Sequence, residues 1–220
     1  LDVSQNTALT ILWCSYNQLT TLDVSGATAL TYLDCSSNQL TSLDVSGATA
    51  LTILNCVDNQ ITTLVSNNTA LTGLSCQNNQ LTSLDVSNNT ALIDLNCGDN
   101  QITTLDVSNN TALTGLNCSD NQITTLDVRN GNNTNTISYY TNLNFTANPQ
   151  LYCIDVDDST WSTANWTVAN GNIDPQHYFS NNCSGTGIKE HPTSKELLRI
   201  IDVLGREIKG TKNEPLFYIY

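Results

Sequence analysis

The chain has 220 residues, 39 % of them hydrophobic but only 12 % charged, and a net charge of -13. The charge is unevenly placed: residues 1–188 hold fifteen Asp against one Arg, whereas residues 189–220 hold six basic and five acidic side chains. A body that acidic repels nucleic-acid phosphate and anionic lipid headgroups and leaves cationic ligands, neutral glycans and calcium as compatible partners, and no run approaches the roughly 20 apolar residues needed to cross a bilayer.

From the first residues onward one phrase recurs, L-x-x-L-x-C-x-x-N-x-L followed by L-x-x-L-D-V-S-x-x-T-A. Its cysteines fall at Cys14, Cys35, Cys56, Cys76, Cys97 and Cys118, a step of 21 residues broken once by a step of 20. A fixed period of that length marks a solenoid, in which each coil contacts only its neighbours and one core runs through all of them. Within a coil the leucines at the first, fourth and eleventh positions and the cysteine at the sixth point inward, as the alternation of a short strand with one buried face requires. The asparagine column Asn17, Asn38, Asn59, Asn79, Asn100 and Asn121 stands where each strand turns away, and its amides suit the backbone groups of their own and the adjacent coil. The second half of each coil is rich in Thr, Ser, Asn and Gly and too short for a long helix, so an extended or turn-like back is expected. There the column Asp23, Asp44, Asp85, Asp106 and Asp127 loses its member in the fourth coil, at Leu64-Val65-Ser66, which points to local turn chemistry.

The repeat resembles the leucine-rich repeat, with cysteine in a core leucine slot, over residues 1–128. The resemblance implies a β-rich solenoid with a curved parallel sheet, one short strand per 21-residue coil and little helix, and a protein that binds rather than catalyses. The first residues enter in mid-repeat, so the chain reads as a fragment at its front end. Residues 129–184 read as a seventh, modified coil and a C-terminal cap. Phe145 takes the cysteine slot of the modified coil, Trp161 and Trp166 supply bulk to cover the last core edge, and Asp174-Pro175 has the form of a helix start. Residues 185–220 read as a linker and tail with two short apolar runs around a Leu204-Gly205-Arg206 turn, a hairpin or part of a small sandwich. This tail resembles the C-terminal sorting domain of cargo exported by the type IX secretion system, through Ile201-Asp202-Val203-Leu204-Gly205-Arg206 and the region of Tyr218. It lacks the further glycine turn and last strand, so it is a partial copy. What this second resemblance implies is a protein secreted to, or anchored at, the outer-membrane exterior of a Gram-negative bacterium.

Six of the eight cysteines sit in register on parallel strands, where a packed column of reduced thiols is expected. Cys153 and Cys183 are out of register, 30 residues apart, and bracket the cap; a disulfide there closes the cap and fits an oxidising exterior. Neither a metal nor a cofactor is expected, since no C-x-x-C pair exists and His177 and His191 are the only histidines.

Function is expected on the outward positions of the front strands, where the coils differ most. Ile11, Trp13, Tyr16, Tyr32, Asp34, Ile53 and Asn55 gather in the first three coils, and small, amide and acidic side chains fill the later ones, with Asp94, Asp99 and Asp120 as an acidic patch. Exposed aromatics on a rigid sheet anchor protein interfaces, and their flat faces also stack on sugars. Two readings stand side by side: these rings contact a ligand on the concave face, or coils preceding Leu1 cover them. The expected function is a non-enzymatic extracellular recognition or adhesion module for a protein partner. A glycan-binding surface protein is the alternative, and ice or calcium binding has less support.

Overall fold

A computed structural model describes residues 1–135 and 143–183, together with the backbone of two short strands further on. Residues 1–184 form one compact unit and residues 185–220 another.

In the first unit, the front of the solenoid is a six-stranded parallel sheet of β1 (Ile11–Trp13), β2 (Tyr32–Asp34), β4 (Ile53–Asn55), β6 (Gly73–Ser75), β7 (Asp94–Asn96) and β9 (Gly115–Asn117). Each is three residues long with a leucine at its centre, and these leucines pair from coil to coil from Leu12 to Leu116. Asn144 bridges Asn117 and carries the front into the seventh coil. Behind each front strand the cysteine turns inward. Cys14 is 7 % exposed, the other five are fully enclosed, and Phe145 continues the column in the seventh coil. All six thiols are unpaired. Burial pushes them up, to about 12 for Cys56 and Cys97, so they stay protonated.

The asparagine column closes the front edge as a ladder. The Nδ2 of Asn100 donates to the carbonyls of Cys76, Cys97 and Gly98 at 3.0–3.1 Å, and its Oδ1 accepts the N–H of Leu81 at 2.9 Å. Asn38, Asn59, Asn79 and Asn121 repeat the pattern, and Asn148 extends it into the modified coil. A coil advance would otherwise strand those buried carbonyls without a donor.

The back has more strand than its composition suggests. β3 (Ser42–Asp44) pairs with β5 (Thr63–Val65), and β8 (Thr104–Asp106) pairs with β10 (Thr125–Asp127), then with β11 (Cys153–Asp155) and β12 (Tyr178–Ser180), all in parallel. Each aspartate of this column accepts the backbone N–H two residues on, as Asp85 does from Ser87 at 2.9 Å and Asp106 from Ser108 at 2.8 Å, which is the local turn chemistry expected of it. Where the fourth coil is one residue short, Val65 moves into the aspartate register opposite Asp44 and is 41 % exposed, while Ser66 is buried. One deleted residue exchanges inside for outside, as period-two alternation demands.

A second buried amide column lies on the back of the coils. Asn68, Asn89 and Asn110 donate to backbone carbonyls of neighbouring coils at 2.5–3.0 Å. In the second and third coils Ala27 and Ala48 are buried instead, each preceded by a glycine. A Cβ at Gly26 would stand 1.9 Å from the carbonyl oxygen of Ser4, and one at Gly47 2.1 Å from that of Ser25; only glycine permits that approach.

The cap completes about an eighth turn. Its one α-helix among the described residues, α1 (Ser159–Asn165), starts at Asp158, whose side chain accepts the N–H groups of Thr160 and Trp161. Where a short helical turn is expected at Asp174-Pro175 the chain makes a single turn, the Asp174 carbonyl accepting the N–H of His177 at 3.0 Å, and runs directly into β12. That strand takes the chain before a helix can propagate. Trp166 meets Phe145, Trp161 and Phe179 edge-on at centroid distances of 5.6–5.8 Å and seals the end of the core. Cys153 and Cys183 are disulfide-bonded, with Cα atoms 5.8 Å apart. Arg129 ties the same edge together, bonding Asp127 and donating to the carbonyl of Asn181 at 3.2 Å.

In the second unit, β13 (Arg199–Ile201) pairs antiparallel with β14 (Phe217–Ile219). The Leu204-Gly205-Arg206 turn and most of the sorting-domain resemblance lie outside the described residues.

Candidate functional surface

The outward side chains of the front sheet fall into two columns. One runs Ile11, Tyr32, Ile53, Gly73, Asp94, Gly115; the other runs Trp13, Asp34, Asn55, Ser75, Asn96, Asn117. Trp13 is 74 % exposed and Ile11 56 %, and the Trp13 ring tilts against that of Tyr32 at a centroid distance of 5.9 Å. Tyr32 and Ile53 are half-buried. Asp34 and Asn55 are half-buried as well, and each has a structural task. An oxygen of Asp34 accepts from the N–H and hydroxyl of Ser36 at 3.0 and 2.6 Å, and the Oδ1 of Asn55 accepts the N–H of Val57 at 3.3 Å. Asn96 and Asn117 do the same in later coils, so the polar column is also a series of turn locks.

Beyond the end of each front strand stands a ridge. Tyr16, Ser37, Asp58, Asn78, Asp99, Asp120 and Ala147 all have φ between 51° and 55°. This left-handed conformation favours Asn and Asp and is unfavourable for Tyr or Ala. The column is visible in the sequence as a variable slot, but its backbone conformation is not, because Tyr16 and Ser37 mask the Asn/Asp preference of the others. Tyr16 is 85 % exposed. The Nδ2 of Asn78 donates to Asp58 at 2.7 Å. Loss of hydration and then the neighbouring Asp120 push the Asp99 carboxyl up. Asp99 and Asp120 are thus ridge neighbours, whereas Asp94 lies on the sheet between Gly73 and Gly115. Among the described residues no group of three or more His, Cys, Asp or Glu is arranged to hold a metal ion.

In the cap, His177 is enclosed. Its Nδ1 accepts the N–H of Asp174 at 3.3 Å, its Nε2 stands 3.8 Å from Asp174 Oδ2, and its side chain has no exposed surface. A ring so placed orders a turn.

A family model for leucine-rich repeats, in two copies, matches residues 7–47. The chain contains a leucine-rich-repeat domain. Among solved structures it is similar to a leucine-rich-repeat protein of Leptospira interrogans, at 21 % identity over 80 % of this chain and 46 % of that one, with a TM-score of 0.56. It is similar also to the internalin InlF of Listeria monocytogenes, at 24 % identity over 71 % and 45 %, with a TM-score of 0.50. A third is the functional domain of InlJ from Listeria monocytogenes, which includes a cysteine ladder, at 36 % identity over 72 % and 42 %, with a TM-score of 0.45. The chain spans less than half the length of each of these three. No curated protein matches it. Leucine-rich-repeat solenoids commonly serve protein recognition through their extended sheet face. Among the described residues no helix is long and apolar enough to cross a membrane.

Proposed function

We propose that the front sheet is a recognition surface for a protein partner and that Trp13, flanked by Ile11, Tyr16, Tyr32 and Ile53, is its anchor. One observation carries this reading: a tryptophan 74 % exposed, leaning on a tyrosine, is held on a strand whose backbone is fixed by a six-stranded sheet. Large rigid aromatics contribute contact area at small entropic cost and dominate interface energetics. Extracellular display fits the disulfide of the cap, and export through a type IX route rests on the residue pattern at 201–206 and in the region of Tyr218. The test is to footprint the solvent-exposed aromatics of the intact protein with and without candidate protein partners, then to compare Trp13→Ala and Tyr32→Ala. Both variants are expected to weaken binding while thermal stability stays nearly unchanged; a large stability loss would show that these rings belong to the core. A second reading, glycan capture, draws on the same flat, open rings of Trp13 and Tyr16. Titrating a polysaccharide panel against indole fluorescence separates the two, and no response across the panel removes the glycan.

A further inference from the structure

The aspartates of the solenoid divide into two populations. On the back, Asp23, Asp85, Asp106 and their column mates each hold an N–H two residues on. On the ridge, Asp58, Asp99 and Asp120 are exposed, and among the described residues no hydrogen bond from a backbone N–H in their own turn reaches their carboxylates. Their backbone needs only a residue that tolerates the left-handed conformation, and Asn78 shows that an amide fills that requirement. Charge at Asp99 even carries a cost, first from lost hydration and then from the neighbouring Asp120 carboxylate. No Lys, Arg or His occurs in residues 1–128 to offset them. At the other end of the same face, the open rings of Trp13 and Tyr16 offer π surfaces to which cations, guanidinium above all, are attracted. Apolar anchor and acidic ridge therefore converge on one ligand chemistry.

We infer that the front face takes a protein segment in which an apolar side chain is followed by arginine or lysine, the apolar group seated at Trp13 and Tyr32 and the basic groups along Asp58, Asp99 and Asp120. This rests on the recognition reading above and adds the sign of the partner's charge and the direction in which it lies. Carboxylates along a ridge with no basic side chain in residues 1–128 to neutralise them steer such a segment and set its register, and their effect is screened by salt.

The test uses the full chain and two synthetic peptides, one repeating arginine, leucine and glycine, the other with glutamine for arginine, followed by calorimetry at low and at physiological ionic strength. The arginine peptide should bind at least about tenfold more tightly than the glutamine peptide and lose affinity as salt rises. Replacing Asp58→Asn, Asp99→Asn and Asp120→Asn together should lower its affinity about tenfold. The charge-matched back variant, Asp23→Asn with Asp85→Asn and Asp106→Asn, keeps every turn acceptor and should change affinity less than about twofold. Equal losses in the two triple variants, equal affinity for the two peptides, or no binding of the arginine peptide at low salt would each overturn the inference. If Trp13→Ala abolishes binding while the ridge variant leaves it intact, the charge inference fails and the recognition reading stands. If Trp13→Ala has no effect on any ligand, the recognition reading fails as well.

Discussion

The repeat array and the cap solve the same problem by opposite means. In the array, each coil hands its unsatisfied edge to the next, through leucines in register, a buried thiol column and an amide ladder whose members look both ways. Among the described residues of this unit no further coil follows the cap. It ends the core with bulk, three edge-on aromatic contacts around Trp166, and with a covalent tie between Cys153 and Cys183. Cysteine serves in both places, as a reduced small hydrophobe in one and as an oxidised staple in the other. The two regions should therefore fail under different conditions.

Alkali should strike the array hardest. Burial raises the thiols of Cys35, Cys56, Cys76, Cys97 and Cys118, to about 12 for Cys56 and Cys97, above the free value of about 8.5. The stability this confers is whole below the free value and is lost as pH rises from there through the folded one. Each fully buried thiol forfeits about 1.4 kcal/mol once pH stands one unit above the free value, so five together forfeit about 7 kcal/mol. Denaturant unfolding from pH 8 to pH 10, read beside thiol labelling, measures it. The cap cysteines do not titrate, and a flat profile would mean that the thiol column is not closed to water.

Removing one rung of the ladder comes next. Asn100→Ala abandons three carbonyls and one N–H in the interior, a loss of about 4 kcal/mol. Asn17→Ala, at the exposed first coil with contacts only to Cys14 and Ser15 carbonyls, should cost about 1 kcal/mol. If the two variants unfold alike, the ladder is not what binds coil to coil. Reducing the disulfide should destabilise the cap by about 3 kcal/mol. Amide exchange should quicken in β11, α1 and β12 and leave the front sheet unchanged; quickening in β6 and β7 would show instead that cap and array unfold as one.

These differences also explain what the sequence can reveal. Residues whose neighbours are copies of themselves are legible, because the repeat supplies its own context: the inward leucines, the thiol column, the Asn17-to-Asn121 ladder and the aspartate turns follow from spacing alone. Legibility ends where a coil departs from its neighbours. The fourth coil's missing residue turns Val65 outward and Ser66 inward, a consequence of register that the letters record only as a gap. The burial of Asn68 and Asn110 is hidden because Ala27 and Ala48 occupy their place in earlier coils, and the partner of each amide is a carbonyl that no pattern displays. In the cap, Asp158 and Asp174 carry similar helix-start signals, and only tertiary pairing decides between them: β12 claims the chain after Asp174, while nothing competes for it after Asp158. The ridge is an intermediate case, legible as a column of variable residues and not as a left-handed one.

Acid provides the gentlest means of separating the regions. His177, a buried titratable group of the cap, lies with Asp174 and Gln176 about it. Burial lowers its ring below the usual histidine value, outweighing the hydrogen bond with the Asn148 backbone and the attraction of Asp174. Because the unfolded chain takes up that proton more readily than the folded one, stability is whole above about pH 6.5 and falls as pH drops from there toward the lowered folded value. One proton bounds the slope at about 1.4 kcal/mol per pH unit. Between pH 6.5 and 5, mostly above the range where free carboxylates titrate, amide exchange in β12 should quicken. His177→Gln keeps an acceptor for the Asp174 N–H and has no proton to gain, so it should flatten that response. If exchange in the array quickens equally, or if the glutamine variant responds like the parent, the acid sensitivity has another origin, and the ring is a packing element alone.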